Sequence, residues 1–342
     1  MFSAKVIDAD GHVSESQEKV AKYLDDPFRR RSFHLSVYPW DGWDRRLFGS
    51  ITQWAGDAKT WLSALDDNKV ECAVLYPTLG LFLAFSKDEE WNRALSKAYN
   101  RFLREEFMKV SPRLKGAALL PMENPDEAAE DLQYAATELG HIAGILLADC
   151  GYLLGHQRFF PIYKKAEELG IPLAVHSSGS SLSPGAGGFT KFIQTHTVAH
   201  IFGQMRQLSS IVLGGIPELF PSLKFIFLES GVGWVPHWMW KMDEEFEKRG
   251  QVEALNLKKK PSDYVRSGSI YFSCEASEPL LPVALQAIGE NQLVYASDFP
   301  HWDNDFPESL DKLRNRKDLT EIQKQKIFAE NAKRLYRLQD FS

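Results

Sequence analysis

Two carboxylates and an imidazole alternate near the start of the chain, in the stretch VIDADGHVSE at residues 6–15. The alternation of Asp8, Asp10 and His12 places these three side chains on one side of an extended segment. Polar groups that converge at the end of a buried strand need partners, because burying them unpaired is costly. The pattern therefore predicts either a capped turn or a site that holds a positive charge.

More side chains that can do chemistry follow other apolar runs of the chain. They are Asp149, His176, Glu229, Glu275, Ser297, Asp298, His301 and Asp303. If those runs are the strands of a barrel, their carboxyl ends meet at one face. Imidazoles and carboxylates in one mouth suit a divalent metal with an open position for substrate or water. Local capping does not explain His12, His176 and Asp298, which are far apart in sequence, although Asp149 is expected to cap the turn that follows it.

Eight apolar runs of strand length alternate with amphipathic stretches. The runs are residues 4–10, 71–78, 114–122, 142–150, 171–179, 223–231, 269–277 and 292–300. Such nearly continuous apolar runs are typical of strands buried on both faces of a parallel sheet. The alternation predicts an α/β fold, a (β/α)8 TIM barrel, with a doubly wound open sheet as the alternative. The first predicted strand is not followed by a glycine-rich phosphate motif, which argues against a dinucleotide-binding sheet.

The helices between the predicted strands carry end signals. In NPDEAAEDLQYAATELG, Asn124 is a candidate N-cap, Pro125 takes the first helical position and Gly140 ends the helix. The same order of helix, glycine and strand recurs in the next β/α repeat, in KKAEELGIPLAV. The repeat supports the barrel prediction.

Two segments are longer than the minimal repeat requires, at about 14–60 and 180–221. The first is rich in aromatic residues, which include Tyr38, Trp40, Trp43, Phe48 and Trp54. The second begins with the glycine-rich SPGAGG. We expect both to be insertions over the catalytic face, after strands 1 and 5 of a single domain spanning 1–342. Residues 180–205 are predicted to form part of a lid.

Composition narrows the class of protein. The net charge of −6 argues against a nucleic-acid partner, and the short basic run LKKKP at 257–261 is better explained as a turn. The three cysteines, Cys72, Cys150 and Cys274, are too far apart for a metal or redox pair, which indicates a reducing compartment. With no signal peptide or apolar run of membrane length, the expected location is cytoplasmic, away from membranes.

Four motifs, in this order, resemble the amidohydrolase-2 family of metal-dependent barrels. They are IDADGH at 7–12, VHSSG at 175–179, SDFP at 297–300 and IFAENAKRLY at 327–336. The family includes aminocarboxymuconate semialdehyde decarboxylase, resorcylate-type decarboxylases and related hydrolases. The resemblance spans nearly the whole chain and implies a distorted TIM barrel that carries a metal.

The resemblance also implies a ligand set. Asp10 stands as the acidic variant of the first histidine in the family's H-x-H motif, followed by His12, and the ligands from strands 5 and 8 match His176 and Asp298. The run ILLADCGY lacks the lysine that bridges two metals in binuclear relatives. We therefore expect one divalent ion, with zinc first and manganese or iron as alternatives.

The chain departs from the family's decarboxylases after strand 6, where they commonly carry a histidine and LESGVGW places Glu229. The resemblance still implies non-oxidative decarboxylation of an aromatic or unsaturated carboxylic acid. Glu229 is the expected proton donor if burial raises its pKa, although it could instead bind the metal. Asp298 and His301 are further catalytic candidates. The alternatives are hydrolysis of an amide, ester or lactone with Asp298 as proton shuttle, and a non-catalytic binding barrel.

Aromatic density in both long segments predicts a ring-bearing small-molecule substrate. We expect Trp234, His200 and Trp302 to contact it. His196 and His200 are four residues apart on a predicted helix, but Thr197 stands where a zincin motif needs glutamate. The resemblance further suggests a homodimer, with the tryptophan-rich helix at 234–246 as one contact.

Overall fold

The computed structural model describes residues 5–15, 17–31 and 57–339. Within them, eight parallel strands pair in chain order from β1 to β8. The strands are β1 Val6–Val13, β2 Val70–Pro77, β3 Leu114–Leu119, β4 Ala143–Leu147, β5 Leu173–His176, β6 Phe225–Phe227, β7 Ile270–Cys274 and β8 Leu293–Tyr295. All eight predicted strands are confirmed, with most of them ending earlier than the apolar runs do.

Helices connect the strands on the outside. They are α1 Gln17–Ala21, α2 Ala58–Asn68, α3 Glu89–Leu103, α4 Pro125–Thr137, α5 Phe160–Leu169, α6 Phe192–Leu213, α7 Ile216–Leu219, α8 Val235–Glu253, α9 Pro261–Arg266, α10 Leu281–Ile288, α11 Glu308–Arg314, α12 Glu321–Gln325 and α13 Asn331–Tyr336. Short 3₁₀ segments lie at Phe28–Arg30, Leu79–Phe85 and Gln157–Phe159, and π-helical turns at Arg104–Met108 and Lys326–Glu330. None of the helices in the described ranges is long and apolar enough to cross a membrane.

Backbone hydrogen bonds between β1 and the turn after β8 bring the sheet to near closure. Asp298 N donates to Asp10 O at 2.9 Å, and His12 N donates to Phe299 O at 2.7 Å. Both bonds lie at the carboxyl ends of the strands, where a barrel carries its chemistry. The TIM barrel is therefore confirmed over the open sheet, and its closure brings Asp10, His12 and Asp298 together.

Large apolar side chains pack tightly around the strands. Phe227 of β6 and Phe272 of β7 stack with ring centroids 5.5 Å apart, and both are fully buried. On β1, Gly11 leaves room for the indole of Trp61, whose Nε1 donates to His12 O at 3.0 Å. A Cβ at Gly11 would lie 2.3 Å from that indole. Dense packing of this kind holds the strand ends rigidly.

Local signals determine the helix boundaries as predicted for α4. The Asn124 side chain accepts a hydrogen bond from Glu127 N, and Pro125 occupies the first turn. Gly140, with φ +78°, follows the helix in a left-handed conformation that favours glycine. The three cysteines are buried and free, as their spacing indicated.

The predictions for the two long segments, at about 14–60 and 180–221, can be compared with the structure only for the second. Tyr38, Trp40, Trp43, Phe48 and Trp54 lie outside the described residues. Residues 180–221 contain α6 and α7, and α6 packs directly on the barrel.

Gln204 fixes α6 to two strand ends at once. Its Nε2 donates to Val175 O at 3.0 Å and to Leu228 O at 2.9 Å, and the side chain is fully buried. The helical half of the predicted lid is thus bound to the barrel wall. A lid role stays a prediction for the loop at 180–191, in which Leu182 and Phe189 are exposed.

We predict that Gln204→Ala destabilises the protein because two buried carbonyls lose their donor. The expected loss is about 1–3 kcal/mol, as for other buried polar groups left unpaired. Denaturant unfolding measures this loss, with Gln194→Ala as the control, since Gln194 is exposed on the same helix. Equal stability of the two variants would contradict the role given to Gln204.

Candidate metal centre

β1 places a carboxylate beside an imidazole at the barrel mouth. Asp10 and His12 are buried, at 1% and 0% exposure, and Asp10 Oδ1 lies 3.4 Å from His12 Nε2. That distance is long for a hydrogen bond. The two atoms are therefore close without being paired.

β5 and the turn after β8 complete the group. His176 ends β5, and its Nε2 lies 3.6 Å from Asp10 Oδ1. Asp298 Oδ1 lies 3.3 Å from His12 Nε2. Asp298 has φ +55°, a left-handed conformation that is costly for a residue with a side chain. Such strain is typical of residues held in place for function.

Backbone carbonyls orient both imidazoles. His12 Nδ1 donates to Pro77 O at 2.9 Å, and His176 Nδ1 donates to Ser177 O at 2.8 Å. When Nδ1 carries the proton, Nε2 of a neutral imidazole keeps its lone pair. Metal-binding histidines in other proteins are oriented in this way. Both Nε2 atoms are thus prepared to bind a cation.

Several buried polar atoms of this group have no hydrogen-bond partner. They are Asp10 Oδ1 and Oδ2, His12 Nε2 and His176 Nε2. Asp298 Oδ1 is contacted by His301 Nδ1 at 2.6 Å. The spacings of 3.3–3.6 Å match the edge of about 3.4 Å expected for a tetrahedral site with bonds of about 2.1 Å. Asp10, His12 and His176 form one group whose ligand atoms lie within 4.8 Å of one another, and His12, Asp298 and His301 form a second. A divalent cation would satisfy the first group, and Asp298 would have to approach it to become a fourth ligand. The mixture of nitrogen and oxygen ligands fits zinc, manganese or iron.

Asp8 belongs to the support of this group. Its carboxylate accepts hydrogen bonds from Ser297 N at 2.9 Å and Ser297 Oγ at 2.5 Å. Burial raises the pKa of Asp8 to about 6, although the bonds from Ser297 act in the opposite direction. Asp8 therefore holds β1 to the turn that carries Asp298, and its carboxylate is already satisfied.

Asp149 has a similar structural role. It accepts hydrogen bonds from the hydroxyl of Ser177 and from both the backbone N and the hydroxyl of Ser178. The expectation that Asp149 caps its own following turn is corrected, because it caps the turn after β5. This contact positions the residues that follow His176.

Glu229 lies among three imidazoles at the end of β6. Its carboxylate oxygens are 3.6 Å from His176 Nδ1, 3.3 Å from His200 Nδ1 and 3.4 Å from His301 Nδ1. Burial favours a higher pKa for Glu229, but His200 and His301 outweigh it and hold the pKa well below its usual range. The condition on which Glu229 was expected to be a proton donor is therefore not met. Like Asp298, Glu229 has a left-handed backbone, with φ +56°.

His301 links the metal group to Glu229. Its Nδ1 lies 2.6 Å from Asp298 Oδ1, and its Nε2 is 3.1 Å from the hydroxyl of Thr78. Burial favours a lower pKa for His301, but the carboxylate of Asp298 raises it well above its usual value. His301 and Asp298 therefore share a proton beside the metal group.

Two adjoining cavities open beside this group. The aromatic cleft, of about 70 Å³, contains Phe82, Phe192 and Trp302 together with His200 and His301. The acidic chamber, of about 460 Å³, contains Glu229, Glu275, Glu278, Asp303 and Asp305. His196, His200, Glu229 and Asp303 line both. The structure thus places an apolar surface and an anionic surface on two sides of Glu229.

Trp302 and His200 lie where a substrate contact was expected, but Trp234 does not. The indole of Trp234 donates to Gly231 O at 3.1 Å and packs edge-on against Phe272. It therefore packs on the barrel wall and lines neither the aromatic cleft nor the acidic chamber. The sequence around a tryptophan at the start of a helix does not indicate whether its indole packs on the barrel wall or lines a cavity.

Two supporting residues were missed in the sequence. Glu15 is buried and accepts hydrogen bonds from Thr78 N, Leu79 N and Gly80 N, which positions the loop that contacts His301. Gln204, described above, fixes the ends of β5 and β6. Both contacts join residues distant in sequence, so local patterns carry no signal for them.

Comparisons with known proteins give a consistent result. The profile of the family described as Amidohydrolase (Amidohydro_2) matches residues 73–338. The gamma-resorcylate decarboxylase of Polaromonas sp. (strain JS666 / ATCC BAA-500) is 23% identical over 286 residues, which cover 80% of this chain and 85% of that protein.

Solved structures share the fold. The 5-carboxyvanillate decarboxylase LigW from Sphingomonas paucimobilis superposes with a TM-score of 0.76 at 20% identity, covering 98% of this chain and 100% of that one. A dihydroxybenzoic acid decarboxylase from Polaromonas sp. JS666, with bound manganese and the inhibitor 2-nitroresorcinol, gives a TM-score of 0.68 at 19% identity, covering 98% and 97%. At these identities, the likeness establishes the fold alone.

We predict that His176→Ala loses the bound metal, because His176 supplies one of the unpaired ligand atoms. Elemental analysis of the purified proteins measures the number of metal ions per chain. This number should fall from one divalent ion in the wild type to well below one in the variant. His237→Ala is the control, since His237 is an exposed histidine on α8. Equal metal content in the His176 and His237 variants would rule out this ligand assignment.

Proposed function

This chain belongs to the Amidohydrolase (Amidohydro_2) family, and from that premise we propose that it is a metal-dependent decarboxylase of an aromatic or unsaturated carboxylic acid. The observation that carries the proposal is the set of unpaired, buried ligand atoms of Asp10, His12 and His176, with Asp298 Oδ1 3.3 Å from His12 Nε2, near an aromatic cleft. The resemblance read from the sequence motifs is confirmed by the family match.

Asp10, His12, His176 and Asp298 would hold the ion. When bound, a divalent ion neutralises and orients the carboxylate and a neighbouring oxygen of such a substrate. Zinc remains our first proposal from the ligand types, with manganese or iron as alternatives. The manganese in the Polaromonas dihydroxybenzoic acid decarboxylase supports the manganese alternative.

The two cavities orient the substrate. Phe82, Phe192 and Trp302 offer the faces and edges that pack against an aromatic ring and exclude water from it. Asp10 and Asp298 also line the acidic chamber, so a bound cation would face it and offset part of its negative charge. The proposed pose has the substrate carboxylate at the metal group and the ring against the aromatic cleft.

Glu229 takes a different role from the one first expected. Because three imidazoles lie within 3.6 Å of its oxygens, it is held as a carboxylate. In that form it fixes protons on the neighbouring imidazole nitrogens and keeps the rings in place. We therefore propose Glu229 as the anchor of the proton-transfer groups, with Asp298 and His301 as a proton-sharing pair beside it.

The first alternative to decarboxylation is hydrolysis of an amide, ester or lactone. The second and weaker alternative is a barrel that binds a ligand without catalysis. Both use the same metal group, so the products distinguish them. Decarboxylation releases carbon dioxide and leaves a new C–H bond. Hydrolysis adds water across the scissile bond, and a binding barrel leaves the acid unchanged.

A homodimer and a cytoplasmic location also remain proposals. On α8, Trp240 is exposed at 57%, so it is available for the proposed contact between subunits. The unpaired, buried cysteines support a reducing compartment. Light scattering at micromolar concentration tests the dimer, and Trp240→Glu should weaken it if α8 is the contact.

We predict that the enzyme releases carbon dioxide from gamma-resorcylate, 5-carboxyvanillate or a related hydroxybenzoate. In heavy water the product should carry deuterium on the carbon that lost the carboxylate, because solvent supplies the proton. Mass spectrometry of the product measures both. Release of an amine, alcohol or ring-opened acid instead, from an amide, ester or lactone panel, would establish the hydrolase.

We predict that two isosteric variants differ in metal content, although both lose turnover. Glu229→Gln should keep its metal and lose roughly 10²–10⁴-fold in turnover, since it disturbs the proton-transfer groups. Asp298→Asn should lose metal affinity as well, because its carboxylate is a ligand. Elemental analysis and turnover separate the two effects, with exposed Glu138→Gln as the control. A Glu229→Gln enzyme with near-normal turnover would remove Glu229 from the mechanism.

A further inference from the structure

Glu229 has three imidazole neighbours, and two of them have no ring nitrogen free for a substrate. His176 uses Nδ1 on Ser177 O and directs Nε2 to the metal group. His301 uses Nδ1 on Asp298 and Nε2 on the hydroxyl of Thr78. A proton could leave either ring only by breaking one of these contacts.

His200 is different, because only one of its nitrogens faces a protein group. Its Nδ1 lies 3.3 Å from Glu229 Oε2. Its Nε2 has no hydrogen-bond partner in the described part of the chain, and it lies next to Gly179. A Cβ at Gly179 would be 2.4 Å from that Nε2, so glycine leaves the space that the ring needs. Both residues line the aromatic cleft.

α6 holds this imidazole firmly. His200 is only 9% exposed, although it lines both cavities. Gln204, one turn further along the helix, bonds to the carbonyls of Val175 and Leu228. Those residues directly precede His176 and Glu229. The distance between the imidazole of His200 and the carboxylate of Glu229 is therefore set by the barrel itself.

The charge of the ring supports a donor role. Burial favours a lower pKa for His200, but the charge of Glu229 and its hydrogen bond outweigh burial and raise the pKa to about 9. At neutral pH both ring nitrogens then carry protons. The Nδ1–H faces the Glu229 carboxylate at 3.3 Å, and the Nε2–H lies beside Gly179 in the lining of the aromatic cleft.

We infer that His200, supplied by α6, is the catalytic acid that protonates the carbon losing carbon dioxide. This inference rests on the proposed decarboxylase function. The Nε2–H bond of His200 breaks, and its proton forms the new C–H bond. The electron pair of the broken C–C bond returns to the ring as carbon dioxide leaves. The neutral imidazole then regains a proton from water, while Nδ1–H stays with Glu229.

The experiment is chemical rescue of His200→Ala with free imidazole. With gamma-resorcylate as substrate, kcat for carbon dioxide release should fall roughly 10²–10⁴-fold, while KM changes little. Metal content and binding of 2-nitroresorcinol should match the wild type, because neither depends on proton delivery. Added imidazole should restore kcat in a saturable way, since it fits the space left by the ring and carries a transferable proton.

Two further variants make the result specific. His200→Gln can still donate a hydrogen bond to Glu229 but has no transferable proton, so it should stay slow, and imidazole should not rescue it. His237→Ala removes an exposed imidazole from α8 and should keep the wild-type rate with and without added imidazole.

The outcomes separate the inference from the function on which it rests. A His200→Ala enzyme with near-normal kcat overturns the inference alone, provided that the wild type releases carbon dioxide. A slow His200→Ala enzyme that has lost 2-nitroresorcinol binding and that imidazole does not rescue also overturns it, because His200 is then structural. If the wild type releases no carbon dioxide from any hydroxybenzoate offered, the proposed function and the inference fall together.

Discussion

Buried ligand atoms without partners are the constraint on which this structure depends. Asp10 Oδ1 lies 3.4 Å from His12 Nε2 and 3.6 Å from His176 Nε2, and Asp298 Oδ1 lies 3.3 Å from His12 Nε2. Asp10, His12 and His176 form one group of mutually close ligand atoms, and Asp298 forms a second group with His12 and His301. Desolvating such groups without compensation costs several kcal/mol for each charge. A cation bound by these residues would supply that compensation and would offset the negative charge of the carboxylates that line the mouth.

The scaffold is organised to keep this arrangement. Asp8 ties β1 to the turn after β8, and the backbone bond from Asp298 to Asp10 brings the barrel to near closure at the same point. Gln204 ties α6 to β5 and β6. Each of these contacts joins two elements that carry a site residue, so the geometry of the centre and the stability of the barrel are coupled.

Sequence periodicity was sufficient for the barrel, because buried parallel strands leave continuous apolar runs. The four proposed metal ligands come from strand order together with the family resemblance. Two features could not be predicted, since they arise from contacts between distant elements. One is the low pKa of Glu229, which depends on imidazoles from β5, α6 and the turn after β8. The other is the position of Trp234, which packs on Phe272 away from both cavities.

The most direct test of the central claim is an anomalous difference map from crystals of the purified protein. We expect one anomalous peak per chain, about 2.0–2.2 Å from His12 Nε2, His176 Nε2 and the carboxylates of Asp10 and Asp298. A map without a peak at this position, or with a peak bound by Glu229 and His200 instead, would contradict it.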